Sequence, residues 1–291
     1  MEILTNYTFQ IVALGSVLLA VAAAPVGAFS VYKGQSLIGD AIGHSTFPGI
    51  ILAYMAFATR SPVILLAGAI LAGAASYALI QLAHRDKRLG LDANLAIFLS
   101  GFFGLGMALK SFIQGNPDYA GASQAGLGTY IFGQAAYMLE ADVLLIAAIS
   151  ALVLTLLLLF YKELKLFVFD AEYAEVVGLP CRLLNLLLLV MTIAVIGIGI
   201  KAVGAILISS FLIIPCVAAN QWSNNFARVL LLSSLIGAVS ALVGTYISTL
   251  EQGMSTGPSI ILVASLIAFF SIVFGTKGIL GSVLKRRRTH G

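Results

Sequence analysis

Asp40 and His44 stand four residues apart in Gly39-Asp-Ala-Ile-Gly-His44, within an otherwise largely apolar stretch. On a helix that spacing projects both side chains from one face, with Cβ atoms roughly 5 to 6 Å apart. One carboxylate oxygen and one imidazole nitrogen can then reach the same ion. This donor pair suits borderline divalent ions such as manganese, zinc or iron, whereas calcium and magnesium prefer oxygen alone. Two ligands do not close a site, but a symmetric dimer meeting at this helix supplies four, a sensible number for a dehydrated transition metal. Gly39 and Gly43, in small-xxx-small spacing, would let two helices approach closely enough for that. Spacing alone leaves other readings open: a pair that only fixes packing, or Asp40 as the cap of a helix that starts nearby. Ionisable groups inside a membrane generally mark a transport path, and His44 is the only histidine in a predicted span.

The elements that must position this pair are membrane helices. Of 291 residues, 60% are hydrophobic and 10% charged, against roughly a quarter charged in an ordinary soluble domain. Apolar runs near 9–31, 36–57, 62–83, 92–110, 141–161, 183–200, 202–220, 226–248 and 258–275 predict one all-α domain over 1–291, a polytopic bundle of eight or nine transmembrane helices. Pro48 and Gly49 predict a kink or interruption soon after the Asp40–His44 pair, as in transporter substrate sites or in simple packing kinks. The stretch Leu127 to Met138 is too short to span and reads as interfacial or re-entrant. Cys181, in a predicted loop, and Cys216, in a span, imply no disulfide framework.

The net charge of +4 does not indicate a nucleic-acid partner, because the basic residues form short clusters between apolar runs. With the N-terminus outside, the cytoplasmic side receives Lys33, Arg85, Lys87, Arg88, Lys162, Lys165, Arg182, Arg228, Lys277, Lys285 and Arg286 to Arg288, and the outside only Arg60, Lys110 and Lys201. A division of 13 against 3 is what the retention of basic residues in the cytoplasm produces. The tail 277–291 is then basic and cytoplasmic. No Lys or Arg precedes Lys33, so the first span lacks a secretory n-region and is read as retained.

The predicted cytoplasmic segment of about 162–182 contains Phe169-Asp-Ala-Glu-Tyr-Ala-Glu-Val-Val-Gly-Leu-Pro180, a short amphipathic helix ended by Gly178 and Pro180. It could dock on a soluble partner or simply connect two spans. No Gly-Lys dipeptide occurs, so a phosphate loop of the Gly-x-x-x-x-Gly-Lys type is absent and any ATP is bound by another subunit. Gly197-Ile-Gly199-Ile-Lys-Ala202 mimics a dinucleotide fingerprint but follows no strand. Nucleophile, base and orienting group converge nowhere, so an enzyme is not expected.

Ser36-Leu-Ile-Gly-Asp-Ala-Ile-Gly-His-Ser-Thr-Phe-Pro-Gly49 resembles the second span of the permease subunits of zinc and manganese ABC transporters. The likeness continues at Phe169 to Pro180, at Ala202-Val-Gly through Leu212-Ile-Ile-Pro215, and at Thr256-Gly-Pro258, and so covers essentially the whole chain. Ala125-Gly-Leu and Phe132-Gly-Gln-Ala-Ala136 look closest to the manganese and zinc branch. The resemblance implies a homodimer of multi-pass permeases in a bacterial cytoplasmic membrane, two cytoplasmic ATPases and an extracytoplasmic metal-binding protein. It also implies that Asp40 and His44 are metal ligands, that Asp170, Glu172, Glu175 and Gly178 belong to the ATPase contact, and that no cofactor is held permanently. Two residues depart from the family pattern: Gly43, where serine is frequent, and Lys201, where a neutral polar residue is frequent. The rival readings are a single-chain secondary transporter or channel, for which Asp40 is the one convincing intramembrane carboxylate, and an iron importer of the same family.

Overall fold

The computed structural model describes residues 6–59, 61–84, 90–116, 119, 138–250 and 254–280, with backbone alone at 62, 201 and 202. The stretch Leu127 to Met138, apart from Met138 itself, the Lys201 side chain and most of the basic tail lie outside the described residues. The described residues are helical and contain no strand. The helices are α1 (Tyr7–Tyr32), α2 (Ile38–Phe57), α3 (Pro62–His84), α4 (Leu91–Gly115), α5 (Glu140–Leu159), α6 (Tyr161–Phe169), α7 (Ala171–Val176), α8 (Cys181–Val203), α9 (Ala205–Asn220), α10 (Phe226–Leu250) and α11 (Thr256–Phe274).

Each apolar segment predicted from sequence is a helix. The largest discrepancy is at α4, which runs on to Gly115 instead of stopping at the charge of Lys110. Cys181 is the first residue of α8 and not a loop residue; it and Cys216 are buried free thiols. Among the described residues seven helices are long and apolar enough to cross a membrane. α2 and α9 fall outside that group. α2 carries Asp40, His44 and a run of small polar residues, and α9 has 16 residues, about 24 Å of helix against a hydrocarbon layer of about 30 Å.

α1 forms the axis of the bundle: Leu19, Ala20, Ala22, Ala23 and Ala24 are fully buried, and α8, α9 and α10 pack around it. It ends in a Schellman turn, with Gly34 at φ +74 and the Gln35 N–H donating to the Ser30 carbonyl at 2.9 Å. Four residues later α2 begins. A bare glycine surface holds α2 on each flank. A Cβ built on Gly49 would lie 2.2 Å from the Gly68 carbonyl oxygen of α3, and one on Gly39 would lie 2.6 Å from the Leu212 side chain of α9. On the α4 side, a Cβ at Gly106 would lie 2.5 Å from the Phe47 ring. The Gly39 and Gly43 pair therefore serves close packing inside the chain, against α9, and is not free for a second copy. α8 and α9 meet at Gly204 alone, whose φ of +87 and ψ of 161 are open only to glycine.

Around this centre the outer helices present apolar side chains outward. Leu71, Leu144, Leu158 and Leu231 are each at least 70% exposed, as the lipid-facing surface of a membrane bundle requires.

Candidate metal site

The α2 helix brings Asp40 and His44 together as the four-residue spacing requires: His44 Nε2 lies 3.4 Å from Asp40 Oδ1. Neighbouring donors on a tetrahedral ion with bonds of about 2.1 Å are themselves roughly 3.4 Å apart. The pair is thus set for shared coordination and is looser than a tight charge-assisted hydrogen bond of about 2.8 Å. The His44 ring meets Phe103 of α4 edge to face, with centroids 5.0 Å apart, which fixes its plane.

Pro48 leaves α2 continuous from Ile38 to Phe57, so the predicted interruption does not occur. Its chemical effect persists, because Pro48 has no N–H to offer the carbonyl of His44 one turn earlier. On the opposite face the Ser45 hydroxyl donates to the Ala41 carbonyl at 2.6 Å and lies 2.7 Å from the Ser76 hydroxyl of α3. That face is locked while the metal face is open.

Both side chains border a cavity of about 370 Å³ whose far wall is α9, through Ile206, Ser209, Ser210, Ile213 and Ile214. Sequence reasoning passed over Ser209, Ser210 and Phe103. The signal for the serines was two adjacent hydroxyls interrupting the apolar run from Ala205 to Ile214. Among the described residues, no group of three or more His, Cys, Asp or Glu side chains gathers here or elsewhere. Behind α2, Ile38 and Ile42 line a second, much smaller cavity of about 20 Å³ together with Thr192, the middle residue of α8. Gly39 packs against Leu212, at the middle of α9, so the Asp40–His44 turn sits at mid-height on that helix.

At the end of the bundle where α1 stops, Lys33 donates to Asn185 Oδ1 of α8 and lies 4.8 Å above the centre of the Phe167 ring of α6. Asn185 in turn donates to the Tyr77 hydroxyl of α3 at 2.9 Å. Burial lowers the Lys33 ammonium from 10.5 to about 8.

The helix predicted within Phe169 to Pro180 is α7, and a further helix, α6, precedes it. α6, unforeseen, anchors itself through Leu164 and Phe167, both buried. Asp170 then caps α7, accepting from the Tyr173 N–H at 2.9 Å, and Gly178 at φ +86 closes it. Glu172 and Glu175 are exposed, as are Tyr173, Val176 and Val177, while Ala174 is fully buried. An aromatic cluster ties this unit to the bundle: Phe169 lies 5.4 Å from Tyr32 of α1 and 5.2 Å from Phe226 of α10.

Residues 5–275 match the ABC 3 transport family. The chain is 39% identical over 289 residues to the zinc transport system membrane protein TroC of Treponema pallidum, covering 99% of this chain and 96% of that one. It is also 39% identical over 285 residues to the manganese transport system membrane protein MntC of Bacillus subtilis, covering 96% of this chain and 65% of that longer protein. In structure it is similar to PsaBC from Streptococcus pneumoniae, solved in complex with Fab, with a TM-score of 0.81 at 26% identity and coverage of 94% and 93%.

Proposed function

The chain belongs to the ABC 3 transport family, and from that premise we propose that it imports a divalent transition-metal ion, manganese foremost and zinc next. The protein is a multi-pass membrane permease of a metal transport system, a subunit and not an enzyme. The ion arrives from an extracytoplasmic binding protein, and ATP is bound and hydrolysed by two separate cytoplasmic subunits.

The observation that supports this reading most is the Asp40–His44 pair opposite the middle of α9, 3.4 Å apart and open to a cavity. Substrate sites of membrane transporters lie near the midplane, where an ion must shed water and find fixed donors. In this reading the carboxylate neutralises half the charge of the ion, the imidazole supplies nitrogen, and Phe103 holds the ring in place. A second copy of the chain, apposed across the open side of the cavity, brings its own pair. The intrachain use of Gly39 and Gly43 leaves that contact to the outward stripe of α9.

The remaining features fall into the same arrangement. α2 and α9, flanked by seven apolar helices, complete nine crossings of a bacterial cytoplasmic membrane, with the N-terminus outside and the tail inside. The α6–α7 unit is the coupling segment, and Glu172, Glu175, Tyr173 and Val176 form its exposed contact with the ATPase, presented by the Asp170 cap and the Gly178 turn.

The test is metal uptake per folded permease in the full transporter. Asp40→Asn keeps the shape and removes the charge; His44→Ala removes the nitrogen. Loss of a ligand should exceed the roughly 10- to 100-fold loss typical of groups that only orient ligands. Normal uptake by Asp40→Asn, or uptake by the permease alone under a proton gradient, would overturn the reading.

A further inference from the structure

We infer that the hydroxyl oxygens of Ser209 and Ser210 are additional ligands of the ion and bias the site toward manganese over zinc. The inference rests on the reading of Asp40 and His44 as the metal pair and extends it to the opposite wall.

The orientation of the two hydroxyls carries the argument. Ser209 Oγ donates to the Ala205 carbonyl at 3.0 Å and Ser210 Oγ to the Ile206 carbonyl at 2.9 Å. A hydroxyl has one proton and two lone pairs. With each proton turned back along α9, what each oxygen offers the cavity is a lone pair, which a cation accepts and another donor-poor surface does not. The rest of that wall is Ile206, Ile213 and Ile214, so among the described residues that line the cavity the two serines are the only side-chain polar atoms opposite Asp40 and His44.

Ser209 is further constrained. It is 5% exposed, and its oxygen would lie 3.3 Å from a Cβ on Gly43, the residue beside His44. The Ser209 proton is already taken by the Ala205 carbonyl, so its lone pair is free for an ion without leaving a buried donor unpaired.

Counting these oxygens changes the character of the site. Asp40 and His44 alone give one oxygen and one nitrogen; with the serines the chain offers three oxygens to one nitrogen. Harder oxygen sets suit manganese, whereas imidazole and thiolate favour zinc, which otherwise binds more tightly at nitrogen and oxygen sites. Gly43 belongs to the same design, because its missing side chain lets the serine wall reach α2.

The experiment compares manganese and zinc uptake, each supplied alone and in competition, in cells whose only importer of these ions is the full transporter, normalised to folded permease. In the double variant Ser209→Ala, Ser210→Ala, manganese uptake should fall about tenfold and zinc uptake by less than about threefold. Ser209→Cys keeps the size and replaces hard oxygen with soft sulfur, and should turn the preference to zinc. It also answers for the alanine variant should that fold poorly. An unchanged manganese-to-zinc ratio in both, with Asp40→Asn inactive, overturns the serine ligands and leaves the metal pair standing. Normal transport by Asp40→Asn removes the underlying reading as well.

Discussion

The Asp40–His44 site and the α6–α7 connector are held in place by different physics. Around α2 the contacts are made at bare glycines: Gly49 meets the Gly68 backbone, Gly39 meets the Leu212 side chain, and Gly43 opens onto the Ser209 hydroxyl. In the connector they are ring against ring, with Phe169, Tyr32 and Phe226 between 5.0 and 5.4 Å apart. Where Gly49 meets Gly68 neither partner has a side chain to absorb a shift, so the approach of α2 to α3 tolerates little change. Edge-to-face and tilted rings accept a range of geometries at similar energy. α2 is thus held by contacts that tolerate little change, and the connector by contacts that tolerate more.

The largest effect that would test this contrast is Gly49→Ala. Its new Cβ would stand 2.2 Å from the Gly68 carbonyl and 2.5 Å from the Ala72 Cβ, so α2 and α3 must separate. Overpacking of this kind costs about 1 to 3 kcal/mol or more. The folded yield and thermal midpoint should fall, and residual folded protein should bind metal poorly because α2 has moved. A stable variant with normal uptake would show that the glycine contact does not set the site.

A smaller effect is expected from reversing the charge of the connector. Glu172→Lys with Glu175→Lys alters two exposed side chains. Insertion and thermal midpoint should match the wild type, while ATPase affinity falls about tenfold, roughly 1.4 kcal/mol. Co-purification with the ATPase at wild-type yield and full uptake would remove these acids from the contact.

The two regions were also unequally legible in sequence. The nine apolar segments were clear because a bilayer demands long apolar runs, and Asp40 with His44 stood out because ionisable residues are rare within them. The α6 helix was hidden: Lys162, Glu163 and Lys165 broke the apolar pattern, and only Leu164 and Phe167 carry its buried side. Ser209 and Ser210 were unremarkable as residue types, and what singles them out is that α9 antiparallel to α2 brings 209 opposite 43. Such long-range pairings have no local sequence signal. The same holds for Gly39 and Gly43, whose spacing predicted a close helix neighbour but could not say that it belongs to the same chain.

Lys33 joins the two regions, and its titration gives the smallest and most specific prediction. Its ammonium donates to Asn185 in the bundle and lies over Phe167 of the connector. Burial lowers its pKa in the folded protein from 10.5 to about 8. Below pH 8 both folded and unfolded chains carry the proton, and the full cost of burying the charge is present. Between about 8 and 10.5 the unfolded chain holds a proton that the folded chain has released. Stability rises with pH wherever the unfolded state binds more protons, so this group adds stability across that window. Lys33→Met removes the titration along with the two contacts. Thermal midpoints measured for both proteins from pH 7 to 10 should therefore diverge above about 8, with the wild type gaining on the variant. Parallel profiles would mean that the ammonium is not buried in the folded protein.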